Sequence, residues 1–206
     1  MDIGRSAGPL AHSVLAVLIL SASPTPGNAQ SHDTHAAATA ISQSHRPTRE
    51  ENELVQAVKD ATAQFKNVTS VEGPGHGYEL MFGCVSGGEF GAMGLHYVNF
   101  ALVDADIKAS EPEIIIFEPR PNGRIRITGV DYLVPVAAWE QAHPGEGPPM
   151  LNGQLFHLFD SPNRFGLDPF YTLHVWAWKD NPNGTFVNWN PNVSCDAFNQ
   201  ADTSTN

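Results

Sequence analysis

Residues 113–133 read EIIIFEPRPNGRIRITGVDYL. Asn122-Gly123 stands between two runs rich in β-branched residues. An Asn-Gly pair adopts the positive φ angles of a two-residue hairpin turn at little cost, and β-branched side chains pack well on a pleated surface. The stretch therefore predicts an antiparallel hairpin with strands at Glu113–Glu118 and Arg124–Leu133. Outward from it the same punctuation recurs. Apolar runs broken by Gly, Pro and Asn predict further strands at Tyr78–Cys84, Gly94–Val103, Gln154–Phe159, Phe170–Lys179 and Thr185–Trp189, with a second turn at Asn183-Gly184. Residues Pro135 to Ala142 read as a short helix. Seven short strands over roughly 120 residues point to a mainly β fold, a single small antiparallel β-barrel or sandwich. The connections are too short for helical crossovers, which favours antiparallel pairing.

Upstream of the strands the period changes. Thr48 and Glu51 have capping-box spacing. Leu54, Val58, Ala61 and Phe65 then form one apolar stripe at helical spacing, ending at Asn67. The domain is read as residues 48–206, opening with this N-terminal helix. Residues 30–47 are small and polar with almost nothing to bury, which describes a disordered spacer. His32, His35 and His45 lie there, either as a weak Cu(II) or Zn(II) tract or as plain solvated linker. Residues 1–29 read as a signal peptide: Arg5 supplies the positive start, Leu10–Leu20 is an apolar run too short to span a bilayer comfortably, and Gly27 and Ala29 suit cleavage after Ala29. Cleavage after Ala22 or Ser23 and an uncleaved anchor are the alternatives. The expected location is secreted or periplasmic.

The formal net charge is -11. Losing Arg5 together with Asp2 leaves it unchanged. That balance argues against nucleic acid and anionic membrane as partners and leaves a small-molecule ligand as the expected one. Two cysteines are present, Cys84 and Cys195. Export favours pairing them into a disulfide, against two free thiols or a thiolate metal site. The bridge would close a loop of about 110 residues, worth roughly 4 to 5 kcal/mol in loop entropy.

Two loops stand out. Gly83–Gly94 (GCVSGGEFGAMG) has five glycines in twelve residues, but neither the spacing nor a following helix supports phosphate chemistry. Asp160–Pro169 is a longer polar connection carrying Arg164. Ser86 in CVSGG is not a nucleophile elbow. Asp131 and Glu118 could pair as carboxylates across the central hairpin, at a separation the sequence does not fix.

Strand alternation selects the candidate site. His96 shares a face with Val98, Phe100 and Leu102. Glu118 goes with Ile114 and Ile116, His157 with Leu155 and Phe159, and His174 with Thr172, Trp176 and Trp178. A carboxylate or imidazole among apolar neighbours needs a partner, and one transition-metal ion (Zn, Fe, Mn or Cu) held by His96, Glu118, His157 and His174 would serve all four. The expected function is small-molecule or metal binding at this site, and two open positions on the metal would permit Lewis-acid or redox chemistry without deciding whether the protein is an enzyme. The plain alternative is core histidines with ordinary partners and a Glu118 salt bridge to a neighbouring arginine. Tyr97, Asn99 and His76 are candidates to support the site, whereas His143 reads as surface. A second functional class is a metal-free binding module, for carbohydrate for example, with Trp176 and Trp178 as an aromatic platform. A third is a structural envelope protein.

Four segments, GLHYVN at 94–99, the 116–135 hairpin (IFEPRPNGRIRITGVDYLVP), GQLFHLF at 153–159 and FYTLHVWAWKDNPNGTFVNWNPNVSC at 170–195, resemble a group of exported bacterial proteins of unassigned activity. The resemblance implies a bacterial source and export, not a mechanism. The sequences at Asn67, Asn183 and Asn192 are glycosylation acceptors only in a eukaryotic source, and with a bacterial one they carry no weight. A looser likeness is to cupins, in which three His and one Glu hold a metal inside a β-barrel. The cupin pattern has two His at i, i+2, and here Val98 stands two residues after His96.

Overall fold

Thr48 opens the first element as its spacing predicts. Its hydroxyl accepts from the Glu51 amide at 3.1 Å, and the Glu51 carboxylate accepts the Thr48 amide at 2.6 Å. This reciprocal pair satisfies two amides that have no partner inside the helix. Helix α1 then runs Arg49–Thr62 and tightens into a 3-10 turn at Ala63–Lys66. The computed structural model describes residues 46–66, 71–72, 75–121 and 123–198. The expected signal peptide, His32, His35 and His45 of the spacer, Asn67 and the turn residue Asn122 lie outside them.

The strands follow as β1 (Glu79–Ser86), β2 (Ala92–Val98), β3 (Ile114–Pro119), β4 (Ile125–Pro135), β5 (Met150–Leu151), β6 (Gln154–Leu155), β7 (His157–Phe159) and β8 (Phe170–Val175), with helix α2 (Val136–Ala142) after β4. Six of them make one antiparallel sheet in the order β1-β2-β3-β4-β8-β7, and β5 pairs with β6 apart from it. The sheet curls into a half-barrel. The mainly β class and the N-terminal helix are as the sequence predicts, but the barrel does not close. Its edge strand β7 has only three residues. The opposite edge, β1, carries an irregularity in which Met81 pairs with His96 and Cys84 with Leu95. Neither edge offers a long regular ladder to the other.

Four strand expectations are corrected. Gln154–Phe159 is broken at Phe156 into β6 and β7, which belong to different sheets. The chain leaves β2 at Val98, and Phe100–Leu102 is a 3-10 turn in which the Ala101 amide donates to the Asn99 side chain. The last sheet strand ends at Val175, because the Trp176 amide turns to the Thr185 carbonyl at 2.9 Å. Thr185–Trp189 forms no strand: that segment is held through turns and an isolated bridge between Ala92 and Asn190.

Residues paired across an antiparallel ladder project to the same face. One face carries Val130, Tyr132, Val134, Leu173 and Val175, and α1 lays Leu54 and Val58 on it. All five of those sheet residues and both helix residues are buried, each worth about 1.5–3 kcal/mol for a Val or Leu side chain. The other face carries the cross-strand row Val98–Ile114–Asp131–His174. Every residue of β2 and β3 is buried, so the central strands are covered on both faces. Gly129 permits the close approach of β8: a Cβ there would sit 2.1 Å from the Val175 carbonyl oxygen.

Cys84 and Cys195 form the expected disulfide, with Cα atoms 5.7 Å apart. It ties β1 to the C-terminal segment and suits an oxidising compartment. No helix among the described residues is long and apolar enough to cross a membrane.

Candidate functional site

The second face of the sheet, away from α1, concentrates the buried polar groups. Ladder parity puts His96, Asp131, Thr172 and His174 there, and all four are buried. His174 lies directly across from Asp131, with its Nδ1 4.0 Å from Asp131 Oδ2. Thr172, diagonal to Asp131, donates its hydroxyl to Asp131 Oδ1. The His174 ring stacks on Trp176 with centroids 4.3 Å apart.

His96 Nδ1 lies 3.0 Å from the Gly94 carbonyl oxygen. A carbonyl only accepts, so Nδ1 carries the proton in the neutral ring and Nε2 presents a lone pair. Nε2 is buried and has no partner, and neither ring nitrogen of His174 has one. Burial holds both rings neutral. It pulls His96 down to about 4, against the Gly94 bond and with a small push from Arg164. It lowers His174 well below the ordinary histidine range, helped by His96. The same burial pushes Asp131 up to about 7, opposed by the Thr172 hydroxyl. Groups buried in low dielectric disfavour their charged forms.

All of these groups but His174 border a small pocket of about 20 Å³. His96, Asp131 and Thr172 are its polar lining, and the rest is apolar, including Phe82, Phe159, Phe165 and Phe170. A larger apolar cleft of about 370 Å³ adjoins it, sharing Phe82, Leu133, Leu167 and Phe170 and extending past Met81, Val98, Phe100 and Val103. Phe82 has φ of 63°, a conformation unusual for a bulky residue. It sits where β1 departs from regular pairing, and so its ring is turned to the mouth instead of following the strand alternation. The Asp160–Pro169 loop supplies the other side. Arg164 Nη2 donates to the Ser86 carbonyl at 2.9 Å, and Phe165 meets Phe82 edge-on at 5.3 Å.

The four expected metal ligands are not brought together. His96 and His174 are, on one face. His157 pairs with Thr172 and so shares that face, but it is exposed at the edge strand. Glu118, at the end of β3, is held by Arg120 at 3.0 Å and Lys179 at 2.8 Å, which is the salt-bridge alternative. Among the described residues no group of three or more His, Cys, Asp and Glu is arranged to hold a metal ion. Asp131 is across from Ile114, whereas Glu118 is across from Arg126, so the two carboxylates are not ladder partners.

The aromatic platform is also dispersed. Trp176 is buried and donates to the Val187 carbonyl at 2.6 Å. Trp178 donates to Thr62 of α1 at 2.9 Å, with Lys66 over its ring. The two indoles are anchored to different parts of the fold. Tyr97 packs edge-on against Phe117 in the core under Phe65 and Val71. Asn99 caps its turn and donates to the His76 carbonyl, while the His76 ring meets Phe65. His143 stacks on Trp139. None of these reaches the pocket.

Thr172 stands on the face of His174 as the alternation predicts, but without an expected role, and Asp131 is the site residue that sequence reasoning weighed only as a partner for Glu118. Their signal was the same parity, since both stand two residues from apolar or histidine neighbours of that face. The chain matches no protein-family model, no curated protein and no solved structure in comparisons with each, so the site is read from its own geometry.

Proposed function

We propose that this is an exported domain that binds a small molecule in the half-barrel, with the apolar body of the ligand in the cleft and its polar end against His96, Asp131 and Thr172. One observation carries this reading. His96 lines a pocket that is apolar apart from Asp131 and Thr172, and its Nε2 lone pair is buried with no hydrogen-bond partner. Leaving such a group unsatisfied costs about 1–3 kcal/mol, and a bound donor would recover that cost. Ligand pockets are commonly apolar clefts with a few convergent polar groups.

The test is equilibrium binding of the neutral fluorescent probe N-phenyl-1-naphthylamine to the native protein and to Leu167→Trp. Leu167 lines both the pocket and the cleft, so an indole there fills the shared space. Saturable binding that is lost in the variant is the expected result. No saturable binding, or binding that Leu167→Trp leaves intact, would refute the reading. Elemental analysis beside a His96→Ala/His174→Ala variant guards the metal alternative. About one equivalent of a transition metal, lost in the variant, would replace a small organic ligand by a metal ion. Export is tested by the N-terminal sequence of the mature protein, expected to begin at Gln30.

A further inference from the structure

We propose that the polar end of the ligand is a primary ammonium, so that the half-barrel selects apolar primary amines; this rests on the small-molecule reading above. The polar lining is built almost entirely of acceptors. His96 Nε2 is a bare lone pair, because Nδ1 gives its proton to Gly94. The Thr172 hydroxyl proton is already committed to Asp131 Oδ1. Asp131 itself is a carboxyl with no cation beside it: the nearest basic side chain across the ladder is a neutral histidine at 4.0 Å.

Charge points the same way. Pocket and cleft together are lined by two carboxylates, Asp131 and Asp168, and by no Lys or Arg. The chain as a whole carries -11, which attracts cations to an acidic cavity. An anionic head group would meet no cation there and would oppose ionisation of the Asp131 carboxyl. A hydroxyl would satisfy Nε2 with its single proton and leave the carboxylate unanswered. An ammonium has three donors, enough for Nε2 and the carboxylate together, and it supplies the counter-charge that a buried carboxylate requires.

Size narrows the class further. The inner pocket holds about 20 Å³, close to the space taken by one water-sized group. One ammonium nitrogen fits that volume. A trimethylammonium or a guanidinium does not. The adjoining cleft of about 370 Å³ takes the apolar body.

The experiment compares hexylamine, hexan-1-ol and hexyltrimethylammonium as ligands of the full chain, read by displacement of N-phenyl-1-naphthylamine and by calorimetry. The expected order is hexylamine first, by on the order of tenfold over hexan-1-ol, since a desolvated charge pair that loses one partner weakens binding at least that much. In Asp131→Asn that advantage over hexan-1-ol disappears. A second measurement on the native protein stands independently of whether the variant folds. Groups that face Asp131 or its neighbours are His96 from β2, Glu113 at the start of β3, His174 from β8 and Arg164 from the 160–169 loop. With hexan-1-ol as the control for their titration, hexylamine affinity relative to the alcohol rises with pH as the carboxyl ionises and then levels. Equal binding of alcohol and amine, with a ratio flat in pH, would overturn the ammonium while leaving the cleft a binding site. Failure of all three compounds and of the probe would overturn the small-molecule reading itself. Tightest binding of hexyltrimethylammonium would also overturn the primary amine.

Discussion

Replacing Asp131 by Asn should change how stability depends on pH, and the structure sets the size and sign. An ordinary aspartate ionises near 3.8, and burial pushes Asp131 up to about 7. Between those values the unfolded chain is ionised at this position and the folded protein is not. Folding therefore holds the proton more tightly, and stability is lost as pH rises through that window. About three pH units at about 1.4 kcal/mol each give a total near 4 kcal/mol, complete above neutrality. Asn keeps an oxygen for the Thr172 hydroxyl and cannot ionise. His96 runs the other way. Its folded value of about 4 lies below the ordinary 6.5, so its contribution is lost as pH falls from the ordinary value toward the folded one. In the native protein the two slopes oppose one another across the acidic range. In Asp131→Asn the histidine slope stands uncovered. Urea unfolding followed by tryptophan fluorescence, from about pH 4.5 to about pH 8.5, measures both curves. The native-minus-variant difference should fall by about 4 kcal/mol toward high pH and then flatten, with the titration of Glu113 cancelling in part, since burial is the main cause of its shift and the Asp131 charge a lesser one. A difference independent of pH, or one that grows in favour of the native protein as pH rises, would refute the burial of a protonated Asp131.

Three further outcomes follow from the fold. Replacing Cys84 and Cys195 by Ser opens a loop with ends 111 residues apart, and unfolding free energy should drop by about 5 kcal/mol by loop entropy, seen as a lower urea midpoint. Gly129→Ala places a methyl against the Val175 carbonyl oxygen and should lower stability by at least about 1–3 kcal/mol, whereas Gly147→Ala, with open space around it, should have little effect in the same assay. Thr48→Ala removes the capping hydroxyl of α1 and should cost about 1 kcal/mol in thermal unfolding.

The hairpin, the capped helix and the disulfide were legible because each is specified locally or by arithmetic: a period, a turn pair, two cysteines in an oxidising context. The misread strands were misread for a local reason too. Phe100 and Leu102 continue the alternation of β2, but Asn99 offers the backbone a side-chain cap and the chain turns. The Thr185–Trp189 segment has strand-like composition, yet it lies beyond the sheet and is fixed by turns and a bridge. At the site, parity correctly put His96 and His174 on one face. It could not give distances along that face, and so Glu118 and His157 were grouped with them although one is salt-bridged and the other exposed. Asp131 was hidden by its strand. Val130, Tyr132 and Val134 look like the whole buried face of β4, which makes Gly129, Asp131 and Leu133 look solvent-facing. In fact both faces of that strand are buried, one under α1 and the other at the pocket lined by Asp131 and Leu133.

The gap between β1 and β7 has a mechanical meaning. A closed barrel is sewn all round by backbone ladders, and admitting a guest through its wall means unzipping several of them. Here the last stretch of wall is fastened by side chains: the Arg164 guanidinium on a carbonyl and over the Trp189 ring, and one aromatic pair. Such fasteners are worth about 1 kcal/mol apiece, so this stretch of wall can part at a small fraction of the cost of separating a strand. The disulfide at Cys84 clamps one lip, two residues from Phe82. Any parting therefore falls on the loop side, and the sheet stays whole.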